Sequence, residues 1–300
     1  MNEMEKNFFE FIYKRHLIWH KRFVLKSERP WSDDFVLNTY KLINVYRELD
    51  KCTLYIIDKL KNVKDRRVLF LNLVFYRFFN QYELYEKLGV DVFSVINEEI
   101  KIDLIERLER FREEGNPIFN NAYLISGIKG QKKHFSVIES IMHADIDNLL
   151  KEIDNCSEPK DSLKIIEKIP MVGPFLACEI WTDLSYFNFF KQGWNDNDFV
   201  NIGPGAKWGL EIIYSSRLNG SKQIEKLSEL HKLQIEILPE IHNNLGEHLS
   251  WKDIAYKDAF SYYPFLSITN IEGSLCEFRK YWNISQNKGR RKYYKPLDYK

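Results

Sequence analysis

The chain is short of the features that usually announce a function. Its four cysteines, Cys52, Cys156, Cys178 and Cys276, stand far apart, with no Cys-x-x-Cys pair and no close histidine partner. Such spacing excludes a metal-ligand set, so no metal site is expected and the four read as reduced core thiols. No uninterrupted apolar run approaches the length that crosses a bilayer, and Met1-Asn-Glu-Met-Glu-Lys6 lacks the basic-then-apolar pattern of a signal peptide. A cytoplasmic protein with no membrane partner and no obligate protein partner is expected. Strand-like alternation is scarce, no internal repeat is visible, and nothing reads as a long flexible linker. Net charge is lacking too: 44 Lys+Arg face 43 Asp+Glu, leaving +1. An anionic partner would therefore have to be held by a local basic face, because the whole chain attracts nothing at long range.

What is abundant is apolar and aromatic matter, 44% and 15% of the 300 residues, ample for a real core in one large domain or two intimate ones. Helical periodicity dominates. Residues 34 to 61 carry Phe35, Leu37, Tyr40, Leu42, Ile43, Val45, Tyr46 and Leu49 at roughly three-and-four spacing, which predicts one long helix capped by Ser32 and Asp33. Further helices are predicted at 4–24, 66–80, 81–88, 91–114, 132–143, 145–154, 160–168, 174–184, 205–217, 221–243 and 271–282. The fold class is all-α.

Near the middle, Ile169-Pro-Met-Val-Gly173-Pro-Phe-Leu-Ala177 reads as a tight corner between two helices. Asp161 and Ser162 can cap the first, Pro170 ends it, Gly173 lets the backbone turn, and Pro174 suits the first position of the second. The corner resembles the helix-hairpin-helix of DNA base-excision glycosylases, in which backbone N–H groups meet a DNA phosphate. That resemblance implies a two-lobed helical fold with a cleft between lobes, here a single domain over 1–300. The lobes would lie at about 30–155 and 156–217, with 1–29 and 218–300 packed on them.

In such enzymes a catalytic aspartate follows the hairpin. The segment Trp194-Asn-Asp196-Asn-Asp198-Phe-Val-Asn-Ile-Gly203-Pro-Gly205-Ala-Lys207 supplies acids before a glycine-rich helix start, at a somewhat longer interval than usual. Breaking an N-glycosidic bond builds positive charge on the sugar, which an ionised carboxylate stabilises. Asp198 is the first candidate, with Asp196 and Asp183 as the others. Phe175 stands near where a lyase would carry an attacking lysine, so a monofunctional enzyme using water is expected. No cofactor is expected beyond a monovalent cation that the hairpin could hold.

Gly173-Pro-Phe-Leu-Ala-Cys-Glu-Ile-Trp-Thr-Asp183 and Asp198-Phe-Val-Asn-Ile-Gly-Pro-Gly-Ala206 resemble blocks of the alpha-glutamyl/putrescinyl thymine pyrophosphorylase family. Pro30-Trp-Ser-Asp-Asp, Asn44-Val-Tyr-Arg47-Glu-Leu-Asp50, Phe75-Tyr-Arg77-Phe-Phe-Asn80 and Thr269-Asn-Ile-Glu272-Gly-Ser-Leu-Cys-Glu277 are similar to further blocks in the same order. The resemblance implies work on modified pyrimidines in DNA, phage DNA in particular, by one of two chemistries. The first is excision, in anti-phage defence, of a base such as glucosylated hydroxymethylcytosine, leaving an abasic site. The alternative is a transferase that joins an amino acid or polyamine to an activated hydroxymethyl-uracil; a non-catalytic DNA-binding module is a third reading. Because the 300 residues carry no kinase, radical or pyridoxal module, excision by a DNA glycosylase is the main expectation.

Candidate DNA contacts are Gly173 and Phe175 at the hairpin, and Gly203, Gly205 and Lys207 at the second helix start, where free N–H groups attract phosphate. The basic run Lys288-Gly-Arg290-Arg291-Lys292-Tyr-Tyr-Lys295 is interleaved with aromatics. A flipped base would be gripped by Trp31, Asn44, Arg47, Glu48 and Phe199.

Overall fold

A computed structural model describes residues 2–89, 92–120, 125, 127, 129–245 and 247–294. The described residues are helical or irregular, and β pairing among them is confined to one antiparallel bridge, Tyr40 with Tyr293. The all-α expectation holds. The chain forms two compact units, Met1–Asp50 with Val200–Lys300, and Lys51–Phe199.

The first unit is built on the helix Glu3–Trp19, whose start is closed by a reciprocal cap. Asn2 accepts from the Glu5 N–H at 2.8 Å, and the Glu5 carboxylate accepts from the Asn2 N–H at 2.6 Å. The helix runs on into a π-turn at His20–Val24. Its Phe8, Phe9 and Tyr13 are fully buried, as are Leu210, Leu275 and Phe278 in the same core. The helices Pro204–Tyr214 and Ile268–Ser285 touch backbone to backbone, and two glycines make that approach possible. A Cβ on Gly205 would lie 2.3 Å from Cys276 Sγ, and one on Gly209 would lie 2.4 Å from the Leu275 carbonyl oxygen.

The long helix predicted at 34–61 does not form. Asp34, rather than Asp33, caps a short helix Phe35–Thr39 by accepting from Leu37 N–H at 3.0 Å. The chain is then drawn out by partners distant in sequence. Lys41 N–H donates to Lys292 O at 2.7 Å, Ile43 N–H donates to the Glu277 carboxylate at 3.0 Å, and the buried Arg15 guanidinium donates to Leu42 O at 2.7 Å. These bonds satisfy backbone groups that a helix would otherwise pair, so the apolar period is spent on an irregular buried segment. A 3₁₀ turn at Arg47–Leu49 follows.

The second unit opens with the helix Lys51–Leu60. At its centre lies Arg66–Phe79, buried from Leu69 to Phe79, capped by Asp65 and ended by Asn80 in the left-handed conformation (φ 48°). Around it stand Tyr82–Leu88, Glu98–Glu113, Lys133–Met142, Ile146–Asp154, Pro159–Ile166 and Pro174–Ser185. The helix predicted from 91 begins at Glu98; Asp91 itself lies outside the described residues. Neither Asp161 nor Ser162 caps the helix before the hairpin, which starts earlier with Pro159 at its first turn. Ser162 instead donates to Pro159 O and accepts from the Trp181 indole at 2.8 Å.

Candidate functional site

The hairpin forms as a corner between Pro159–Ile166 and Pro174–Ser185, with Pro174 in the first helical turn. Its left-handed residue is Met171 (φ 67°), not Gly173, which is extended at φ −91° and ψ 176°. A Cβ on Gly173 would meet nothing within 4 Å. Glycine is thus required here neither by backbone conformation nor by internal packing. Phe175 projects beside it, 57% exposed.

The three candidate acids, all in the second unit, sit in different environments. Asp183 is fully buried and held by Arg77, whose Nη2 donates to Oδ1 at 2.8 Å while Nε donates to Oδ2. Arg77 also donates to Thr53 Oγ1 and Asn80 Oδ1, both at 2.8 Å. Asp196 is buried as well, at 1% exposure. Asp198 is exposed, and its carboxylate accepts from Asn195 N–H at 2.8 Å, closing a turn. Phe199 packs edge-on against Trp181, with ring centroids 5.3 Å apart.

In the first unit, Gly203 and Pro204 do open a helix, but the anion held by Gly203 N–H is the chain's own Glu272, at 2.9 Å. Gly205 is committed to the close contact with Cys276 already described. Lys207 is half-buried one turn into the helix.

Of the residues expected to grip a base, Trp31 is buried, its indole N–H donating to Ser27 O at 3.0 Å. Asn44 accepts from Arg15 at 2.9 Å and donates to Leu49 O at 3.0 Å. Arg47 and Glu48 do come together with the late sequence block. Asn270 accepts from Arg47 N–H at 2.7 Å and donates to the buried Glu48 carboxylate at 3.1 Å. A polar knot thus forms from residues far apart in sequence, with the Arg47 side chain half-buried at its edge. Arg290, Arg291 and Lys292 are exposed, whereas Lys295 lies outside the described residues.

Sequence reasoning missed Arg77 as the partner of Asp183, although a lone arginine within Phe75-Tyr-Arg77-Phe-Phe79 was a signal, since a charge amid apolar residues needs a buried partner. It also missed Asn270 as the anchor of the early block and Glu272 as the acceptor at the Gly203 helix start. No short-range pattern pairs residues at such separation. Among the described residues, no group of His, Cys, Asp or Glu is arranged to hold a metal ion, and no helix is long and apolar enough to cross a membrane.

An all-helical fold with a buried polar knot in one unit and a helical corner in the other defines a class only broadly; comparison with known proteins narrows it. Residues 2–291 match the family described as the helical domain of 5-hmdU DNA kinase, and the chain belongs to that family. It is 30% identical over 295 residues to the 5-hmdU DNA kinase of Bacillus phage SP10, an alignment covering 91% of this chain and 44% of that protein. The chain therefore spans less than half the length of this relative. No solved structure matches it.

These matches overturn the DNA glycosylase expectation. The family and the relative are named for a kinase of a modified DNA nucleoside, not for a hydrolase that leaves an abasic site. A hairpin followed by aspartates does not by itself make a catalytic pair, and the lack of a kinase module in these residues does not favour excision, because the matched family is itself the helical part of a longer kinase. The resemblance to a thymine-modification family pointed the better way.

Proposed function

We propose that the chain is a DNA base-modifying transferase module acting on 5-hydroxymethyl-uracil in DNA, where it takes part in adding a group at the exocyclic methylene. The observation that carries this reading is the match of residues 2–291 to the helical domain of a 5-hmdU DNA kinase, supported by the phage SP10 relative.

Two steps belong to this chemistry. In phosphorylation, the hydroxymethyl oxygen attacks a phosphorus, its proton leaves to a base, and the bond from phosphorus to the nucleotide leaving group breaks. In displacement, an amine attacks the methylene carbon and the carbon–oxygen bond breaks, releasing the phosphate. Either step sets phosphate charge beside the base, and fixed cationic or N–H donors aimed at that charge stabilise it. We assign Arg47 to this role, with Asn270 and Glu48 as positioning residues that hold its backbone. At the hairpin, the open space beside Gly173 suits close approach of a DNA phosphate to the backbone.

A second reading is favoured by one specific fact: the match is to a helical domain, within a relative more than twice as long. In this reading the chain presents the modified base while another domain supplies the phosphoryl chemistry.

The test is to incubate the purified protein with duplex DNA carrying 5-hydroxymethyl-uracil and ATP. In parallel, DNA carrying the phosphorylated base is incubated with glutamate or putrescine, and the digested nucleosides are weighed by mass spectrometry. A mass gain in either arm supports the transferase. Binding that prefers 5-hydroxymethyl-uracil over thymine without a mass gain supports the presenting module. Absence of both refutes the proposal.

A further inference from the structure

The helices Pro204–Tyr214 and Ile268–Ser285 of the first unit carry a pair of side chains that neither the core nor the Arg47 knot uses. Trp208 stands on the first helix at 50% exposure, and the Arg279 guanidinium of the second lies over its ring, 4.9 Å from the ring centre. The close approach of the two backbones at Gly205 and Gly209 holds this pair in register. Gly205 lies against Cys276, and Trp208 and Arg279 each follow about one helical turn further along. Stacking keeps the long cationic side chain flat against the indole and turns its N–H edge away from the ring.

Arg279 differs from other arginines withdrawn from solvent in whole or part. Arg66, Arg67, Arg77 and Arg107 each meet an aspartate. Among the described residues Arg279 makes no ion pair, and its Nε is buried without a hydrogen-bond acceptor. Lys207, next to Trp208 in the chain and half-buried, makes no ion pair among the described residues either. The acids of the two helices are engaged elsewhere. Glu272 accepts from Gly203 N–H at 2.9 Å, Glu211 accepts from Leu218 N–H at 3.4 Å, and Glu277 serves Ile43 N–H and Lys280.

A guanidinium partly withdrawn from water without an acceptor is unfavourable, and an anionic group brought to its terminal nitrogens supplies what the fold leaves unmet. The open half of the indole beside it offers a flat apolar face. We infer that Trp208 and Arg279 form a docking site for a DNA strand, with a backbone phosphate on Arg279, Lys207 adding charge, and an unstacked base on Trp208. An acidic protein segment would bring the charge but no flat ring for the indole, which favours the nucleic acid. Asn270, at the Arg47 knot, lies about two and a half turns before Arg279 and so on the opposite side of the same helix. The inference rests on the proposed action on DNA, but the site is separate from the one assigned to base modification and engages the strand away from the reacting base.

Fluorescence anisotropy of a labelled thymidine 20-mer with the full chain, across a salt series, tests this. The oligomer carries no hydroxymethyl group, so the result is independent of the base-modification assay. Trp208→Leu, which keeps an apolar side chain but removes the ring, is expected to weaken binding at least about fivefold, and Trp208→Phe should restore part of the loss. Arg279→Gln should lower the slope of log affinity against log salt by about 0.7. Urea midpoints close to the parent's confirm that each variant folds. An unchanged affinity in Trp208→Leu, or an unchanged salt slope in Arg279→Gln, overturns the site even if the 5-hydroxymethyl-uracil assay succeeds. A wild-type protein that binds no oligomer, or whose bound oligomer is displaced by poly-glutamate as readily as by unlabelled oligomer, also overturns it. Success here with failure of the base-modification assay leaves the site standing and removes the chemistry.

Discussion

Arg77 and Asp183 face each other inside the Lys51–Phe199 unit, guanidinium against carboxylate, with Nη2 2.8 Å from Oδ1 and neither side chain more than 2% exposed. The pair joins the central helix Arg66–Phe79 to Pro174–Ser185, the helix that leaves the hairpin. An acid so enclosed anchors the helix that leaves the hairpin.

Removing one partner strands a buried charge, so Asp183→Ala should destabilise the protein by about 3–5 kcal/mol. Replacing both, Arg77→Met with Asp183→Leu, should recover much of that loss because no charge is left unpaired. Urea unfolding followed by circular dichroism reads both. A single variant as stable as the parent would show that the pair does not hold this helix.

The glycines should separate by mechanism. Gly209→Ala drives a Cβ into the Leu275 carbonyl, a backbone atom that cannot rotate away, and should cost about 1–3 kcal/mol. Gly205→Ala meets the Cys276 side chain first and should cost less than Gly209→Ala. Gly173→Ala meets nothing within 4 Å and should leave stability within about 0.5 kcal/mol. If the hairpin backbone touches a DNA phosphate, Gly173→Ala weakens DNA binding all the same, and gel shift beside thermal melting separates the two effects.

Stability should fall as the pH drops below neutrality. Burial pushes the His16 imidazole from 6.5 down to about 3, against the favourable Ile254 carbonyl contact. Burial also lowers His134, His231 and His20. A histidine depressed in the folded state binds its proton more readily when unfolded. Its contribution is therefore whole above pH 6.5 and is lost as pH falls toward 3, at roughly 1.4 kcal/mol per pH unit for His16. The window between pH 6.5 and 5 lies above the ordinary carboxylate range, so it favours the histidine contribution. Urea midpoints for the parent should slope downward there, and His16→Phe should flatten the slope.

The helical class and most helices were legible because their apolar period is regular and their starts carry readable signals, as at Asp65 before Arg66 and Pro174 after the hairpin. The stretch 40–50 was not. Its apolar residues keep helical spacing, yet Lys41, Leu42 and Ile43 spend their backbone groups on Lys292, Arg15 and Glu277, partners that no local window reveals. The candidate site was legible as blocks and not as contacts. Arg47 and Glu48 were visible as polar residues among apolar ones, but Asn270, which joins them, is 222 positions from Glu48. Asp183 and Asp198 look alike in sequence; only burial distinguishes the anchored acid from the open one.

Arg47→Ala should lower base modification by about 100-fold or more while the fold and its urea midpoint stay close to the parent's, as expected for a group that stabilises charge at the reacting atoms. Glu48→Gln, which keeps the bond from Asn270, should retain more activity than Glu48→Ala.

The account stands on action at a 5-hydroxymethylated base. Its most direct test is nucleoside mass spectrometry of DNA carrying 5-hydroxymethyl-uracil or its phosphorylated form, after incubation with this protein, ATP or an amine donor. The account predicts an added mass on the base with the glycosidic bond intact, or, for the presenting module, binding selective for the hydroxymethylated base. An unaltered base combined with equal affinity for thymine DNA would contradict it.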